Sequence, residues 1–353
     1  MNLSFDKNIA EPYINGTLYR MTSNNNFLFI IVLYSVIALV SSVGNSLVLV
    51  VVYRNENKRM RTTINFFIVS KSCSDLLITF CNIPFQISTY TTGYLNPFSG
   101  IMGIVYCKVT VFFYYLSIEM SLLNLAAIAV DRFIAVFYPF KKFFTNRSAK
   151  IVIGVMWLVG TLFNIPLVIK STLFENKDQY FRFCAFTFLL DDLRVFMITF
   201  FIAFIVLPLL TMVILYSSIV VKLFQQKAPG ENSTINREQR YRRNRKVLVM
   251  VVVVISFTIV CWLPFFSVYV DCLMTFPAFS CKSIPYLQIL AFANCALNPC
   301  LYVVFHDNFR SGLYALFRAA FRLNICNDVL VWQTVLAMIL VFRYTLVINY
   351  MLV

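Results

Sequence analysis

Apolar residues gather along this chain in seven long runs, separated by short clusters of charge, proline or glycine. The runs cover residues 27–53, 63–90, 104–138, 149–169, 193–226, 237–272 and 283–305; apolar positions predominate within them, the sixth opening on a basic stretch before its apolar part. Stretches longer than about 18 residues with few charges mark helices that cross a bilayer, whose hydrocarbon takes about 20 residues. The pattern therefore predicts an all-α membrane protein, a seven-transmembrane helix bundle. Several runs exceed the required length and are expected to tilt or to project beyond the bilayer. Residues 307–322 then change character. Phe309, Leu313, Leu316, Phe317 and Phe321 share one helical face while Arg310, Arg318 and Arg322 serve the other, which predicts an amphipathic eighth helix along the inner leaflet.

Four segments follow: 1–26, a polar extracellular N-terminal segment; 27–305, the bundle; 306–328, the amphipathic helix and cytoplasmic tail; and 329–353, a further apolar segment. For the last, a spanning segment, an interfacial helix and a non-native extension all stay open. No apolar core of a cleavable signal peptide precedes the first run, which is expected to serve as its own signal-anchor.

Charge sharpens the membrane reading. Only 13% of residues are charged and 60% are hydrophobic, about half the charged share of a soluble domain. The net charge of +15 would suggest a nucleic-acid partner in a soluble protein. Its placement excludes that. Arg54, Lys58, Arg59 and Arg61 face only Glu56, and Lys222–Lys246 is strongly basic, whereas the signs balance in 1–26 and 170–194. By the positive-inside rule the N-terminus is outside and the basic loops are cytoplasmic. The expected location is the plasma membrane, multi-pass, with the N-terminus extracellular. Asn2 and Asn15 open glycosylation sequons on the outer side. Cys107, Cys184, Cys272 and Cys281 also fall there, where disulfides persist. A Cys107–Cys184 bridge would pin the 170–192 loop over the bundle, and Cys272–Cys281 would close a short ring; sequence alone does not fix connectivity.

From Val109 to Val130 the only ionisable side chain besides tyrosine is Glu119, and the run then ends on Asp131-Arg132-Phe133. Charges at a buried helix end are costly and are functional by default. The other spans carry their own polar marks: Gly44-Asn45, Asp75, Trp157, Pro208 with Tyr216, Cys261-Trp262-Leu263-Pro264, and Asn294 with Asn298-Pro299-Cys300-Leu301-Tyr302. In order and spacing, over residues 27–322, this resembles the class A (rhodopsin-like) G-protein-coupled receptors, and in particular their neuropeptide receptors.

The resemblance implies a switch on the cytoplasmic face. Asp131 would restrain Arg132 at rest; on activation the sixth helix swings outward, Arg132 meets a heterotrimeric G protein, and Tyr216 and Tyr302 support it. Phe140 matches a loop residue that packs on the G protein, and arrestin is implied as a second partner. Pro208, Pro264 and Pro299 lie mid-span, where proline removes a backbone bond and can kink its helix; the kinks of the sixth and seventh helices, at Pro264 behind Trp262 and at Pro299 after Asn298, are the expected pivots. Trp262 and Phe257 would relay ligand contact, with Leu122 and Pro208 as packing partners. Many relatives clamp the arginine with an acid on the sixth helix. The matching position here is Asn244, amid the basic run Arg240–Lys246, which implies a weaker resting lock and basal signalling.

Asp75, Ser121, Asn294 and Asn298 match a family sodium site, so a sodium ion is the one cofactor to consider. Lys71 stands one turn before Asp75 on the same face. Two outcomes stay open: its ammonium neutralises Asp75 and displaces the ion, or it snorkels to the cytoplasmic surface. Cys326 is a candidate palmitoylation site, and membrane lipids are expected partners of the basic and amphipathic segments.

On the outer side, the family's amine-pairing position is Tyr114 and its retinal-binding lysine is Phe292, which argues against an amine and against light sensing. Tyr90, Tyr94, Tyr106, Phe113, Tyr114, Trp262, Tyr269 and Gln288, with the acids Glu119, Asp271, Asp191 and Asp192, compose the expected pocket. Aromatic faces with a few carboxylates suit an extracellular peptide ligand, a short neuropeptide that is cationic or amidated, beneath a hairpin lid from 170–192. A receptor for a non-peptide small molecule or lipid is the alternative. A channel or transporter is more remote, since there is no internal repeat and intramembrane charges are few. Catalysis is not expected: His306 is the only histidine.

Overall fold

The computed structural model describes residues 27–54, 60–92, 98–138, 145–176, 181–225, 252–271, 283–305 and 307–322. Seven of its helices are long and apolar enough to cross a membrane, matching the seven runs. Helix α1 is Phe27–Arg54. Helix α2 takes residues 63–92, with a π turn at Ile78–Asn82 between Thr63–Leu77 and Ile83–Thr92. Helix α3 is Gly100–Phe137 and α4 is Asn146–Lys170. A hairpin of β1, Ser171–Asn176, and β2, Phe181–Phe186, follows. Helix α5 takes 190–225, with a π turn at Ile202–Val206. Helices α6, Val252–Asp271, α7, Ile284–Phe305, and α8, Asp307–Arg322, complete the described chain.

Local chemistry accounts for the irregularities. Each π turn ends two residues before a proline, Pro84 in α2 and Pro208 in α5. Proline lacks an N–H and clashes with the carbonyl four residues back, so the preceding turn widens. Helices α3 and α4 begin earlier than their apolar runs, at Gly100 and Asn146. In α4 the extra turn is a capping box: Ser148 N donates to Thr145 Oγ1 at 3.2 Å and Thr145 N to Ser148 Oγ at 2.8 Å. Polar caps of this kind are invisible to hydropathy.

Helix α3 is the axis of the bundle, packing against α2, α4, α5 and β1, while α1 packs on α2, α7 and α8. The close approach of α1 to α7 depends on Gly44, where a Cβ would lie 2.7 Å from the Pro299 ring. Tyr34, Phe67, Leu122, Trp262 and Phe292 are fully buried in the interior. Leu28, Val36, Leu158, Ile214 and Val260 are exposed on the outside, the surface expected of a bundle solvated by lipid. Helix α8 puts Phe309 and Leu313 into the core and leaves Arg318 exposed, as its two-faced pattern predicts.

The hairpin forms above α3, with Leu173 opposite Cys184. Cys184 is bridged to Cys107 near the start of α3, Cα–Cα 5.5 Å. The expected lid and the expected first bridge are therefore both present. Beside Cys107, Lys108 Nζ donates to the carbonyls of Val168 at 2.6 Å, Ile169 at 3.2 Å and Ser171 at 2.9 Å. The ammonium thus satisfies carbonyls that the end of α4 leaves open.

Candidate functional site

The polar and aromatic side chains singled out above fall into three layers. In the outer layer, Gln288 Nε2 of α7 donates to the Tyr114 hydroxyl of α3 at 3.5 Å. The hydroxyls of Tyr115 and Tyr269 meet at 3.2 Å and tie α3 to α6. Tyr114 turns its ring edge to Phe292 and to Tyr115, with centroids 6.4 and 5.1 Å apart. Below them Trp262 stacks on Phe266 at 5.3 Å, closing the layer from beneath. Asp271 is exposed at the outer end of α6. Asp191 is exposed and pairs with Arg194 at 3.5 Å, and Asp192 is exposed beside it. Tyr106 belongs to a separate cluster with Phe85 and Phe98. Phe113 contacts the ring of Phe112. The side chains of Tyr90 and Tyr94 lie outside the described residues.

Two expectations are corrected. Glu119 does not join this pocket. It is fully buried between α3 and α4, where Asn164 Nδ2 donates to its Oε1 at 2.9 Å. Its Oε2 lies so near Gly160 that a Cβ there would be 2.6 Å away. Five residues separate Glu119 from Tyr114, a turn of about 140° around the helix, so the two face opposite neighbours. Phe257, expected to relay ligand contact beside Trp262 with Leu122 and Pro208 as packing partners, is 42% exposed, while Thr258 is fully buried. Thr258, four residues before Trp262, lies on its face. Its hydroxyl donates to the Val254 carbonyl at 2.8 Å and accepts from Asn294 Nδ2 at 3.1 Å.

The middle layer is a buried polar network. Asn45 Nδ2 donates to the carbonyls of Ser41 and Cys295, at 3.0 and 3.1 Å. Ser41 and Thr79 share a bond of 2.6 Å, and Thr79 donates to the Asp75 carbonyl at 2.8 Å. Asn298 Nδ2 reaches Asp75 Oδ2 at 3.0 Å and Asn294 Oδ1 at 3.3 Å. Ser121 Oγ donates to Asp75 Oδ1 at 3.3 Å. Lys71, fully buried, stands among them: its Nζ is 3.2 and 3.3 Å from the two Asp75 oxygens and 2.7 Å from Ser121 Oγ. Of the expected sodium site, Asp75 thus meets Ser121 and Asn298, with Asn294 joined through Asn298, and the lysine ammonium takes the Asp75 and Ser121 oxygens. A metal cation does not fit beside a full positive charge that already uses these acceptors.

In the inner layer Arg132 is held by its neighbour, with Nη2 and Nε donating to Asp131 Oδ2 at 2.6 and 3.2 Å. The other oxygen, Oδ1, accepts from Thr63 Oγ1 of α2 at 2.9 Å. Phe133 stacks on Phe137, centroids 4.2 Å apart. Tyr216 and Tyr302 are buried, and their hydroxyls have no hydrogen-bond partner among the described residues. Pro299 lies inside α7. Phe140, Asn244, the Arg240–Lys246 run, Cys272, Cys281, Cys326, Asn2, Asn15 and residues 329–353 lie outside the described residues. Thr63 and Lys108, both part of this architecture, carry no motif of their own; only a neighbouring helix reveals them.

A bundle of seven crossing helices, a disulfide-anchored hairpin at one end above a layer of tyrosines and an arginine held at the opposite end together point to a transmembrane receptor. The model of the 7 transmembrane receptor (rhodopsin family) matches residues 44–302. The chain belongs to that family, and is a multi-pass membrane receptor rather than an enzyme. A QRFP-like peptide receptor of Branchiostoma floridae is 32% identical over 299 residues, 82% of this chain and 77% of the relative. Neuropeptide FF receptor 1 of Homo sapiens is 31% identical over 343 residues, 90% and 76% respectively. A RYamide receptor of Tribolium castaneum is 29% identical over 351 residues, 93% and 89%.

Proposed function

We propose that this receptor sits in the plasma membrane with its N-terminus outside, binds a short extracellular neuropeptide, and activates heterotrimeric G proteins by outward movement of α6. The observation that carries the reading is the outer layer, where Tyr114 meets Gln288 and Tyr115 meets Tyr269 under the hairpin. An amide both donates and accepts, so the Tyr114–Gln288 pair suits the end of an amidated peptide. With Glu119 sealed against α4, a cationic peptide side chain would find its carboxylate at the rim, at Asp271 or Asp192. The names of the relatives, all peptide receptors, support the same ligand class.

On activation Arg132 leaves Asp131 and is received by Tyr216 and Tyr302. Buried hydroxyls without partners are costly, and these two are available to the arginine once α6 opens. Arrestin would use the same inner face, and α8 rests on inner-leaflet lipid. The test is a peptide-library screen on cells expressing the receptor, read by second messengers, with Arg132→Ala as control. A peptide that signals through the wild type and fails through the variant supports the proposal. A response retained by Arg132→Ala overturns the switch.

A further inference from the structure

Lys71 has the geometry of a bound ion. Its ammonium carries three N–H donors, and three oxygens lie within reach, Asp75 Oδ1, Asp75 Oδ2 and Ser121 Oγ. Both side chains of the ion pair are 0% exposed. The lysine does not run to the cytoplasmic face; it folds along α2 to meet Asp75 one turn later, whose side chain tilts back towards it. The same carboxylate is bonded to Ser121 of α3 and Asn298 of α7, so one positive charge sits where three helices join.

We propose that Lys71 is a tethered cation: its ammonium takes the place of a soluble monovalent ion at the α2–α3–α7 junction, holds the resting packing there, and makes the receptor indifferent to sodium. Occupancy by a soluble ion varies with its concentration, whereas a covalently linked charge is always present. A second cation in the same cage would meet like-charge repulsion in a medium of low dielectric. Without the lysine side chain, the Asp75 oxygens and Ser121 Oγ would remain as oxygen ligands suited to a hard cation. The chain therefore carries a latent sodium site that Lys71 closes.

The experiment uses the full chain in lipid nanodiscs and a thiol-reactive fluorophore that reports exposure of the buried Cys261 and Cys295 on heating. Sodium chloride is exchanged stepwise for N-methylglucamine chloride at constant ionic strength. The wild-type melting temperature is expected to stay flat. Lys71→Met should melt lower in glucamine and rise saturably with sodium by about 2 °C or more, and the double variant Lys71→Met/Asp75→Asn should be flat again. Asp75→Asn alone leaves a buried ammonium without its counter-ion and should melt below the double variant. A wild-type melting temperature that climbs with sodium overturns the proposal, as does a double variant no more stable than Asp75→Asn. If Lys71→Met does not survive purification, the wild-type titration decides alone.

Discussion

Thr63 makes the most quantitative prediction about signalling. Its hydroxyl donates 2.9 Å to Asp131 Oδ1, and Asp131 Oδ2 holds Arg132. Thr63→Val keeps the shape of the side chain and deletes only that donor; the helix cap is made by Thr62, whose side chain accepts from Asn65 N. A hydrogen bond to a charged group is worth about 1.5–3 kcal/mol. The Thr63–Asp131 bond is only partly buried, so the lower end, about 1.5 kcal/mol, applies. If the bond orients Asp131 for Arg132 only in the resting state, its loss shifts the resting-to-active ratio about tenfold. While the active fraction is small, ligand-free nucleotide exchange should rise by nearly that factor. The assay is guanine-nucleotide exchange on purified G protein at matched receptor density, comparing wild type, Thr63→Val and Thr63→Ser. Serine keeps the donor and should stay near wild type. Exchange by Thr63→Val within twofold of wild type, with normal receptor folding, would refute the reasoning.

Other perturbations test the scaffold. Lys108→Met removes the donor that caps α4 beneath the hairpin; a loss of about 1–3 kcal/mol should appear as faster hydrogen exchange across Ser171–Asn176, and unchanged protection would contradict the cap. Gly160→Ala puts a Cβ 2.6 Å from Glu119 Oε2 and 2.8 Å from Met120 Cε. That overpacking should cost about 1–3 kcal/mol and lower the melting temperature, whereas Gly154→Ala, with open space around it, should not. Asn164→Leu deprives Glu119 of its donor and should destabilise by about 1–3 kcal/mol; Asn164→Leu/Glu119→Met, which removes both polar partners, should recover most of that loss, and no recovery would contradict a structural pair.

Much of this architecture was legible from the chain because hydrophobic run length and loop charge follow directly from the bilayer. The seven spans, the amphipathic α8 and the Cys107–Cys184 bridge appear as expected. What was not legible is rotation. A residue's place in a motif does not say which neighbour its side chain meets. Glu119 was expected among the tyrosines and lies against Asn164, and Phe257 yields its expected place to Thr258, one residue and about 100° away. Lys71 had two physically sound destinations. Its inward one emerges only once Ser121 and Asn298 are seen beside Asp75. Thr63 and Lys108 escape for the same reason: each acts on another helix through one polar atom, which no periodicity records.

The central claim is that the inner face releases Arg132 to drive nucleotide exchange. Its most direct measurement is exchange on a panel of purified heterotrimeric G proteins by the reconstituted full chain, beside Arg132→Ala and receptor-free vesicles. The account predicts that the wild type accelerates exchange on at least one heterotrimer and that equally well-folded Arg132→Ala falls to the receptor-free rate. Wild type and Arg132→Ala accelerating exchange alike, or both vesicle types matching empty ones with and without a neuropeptide library, would contradict it.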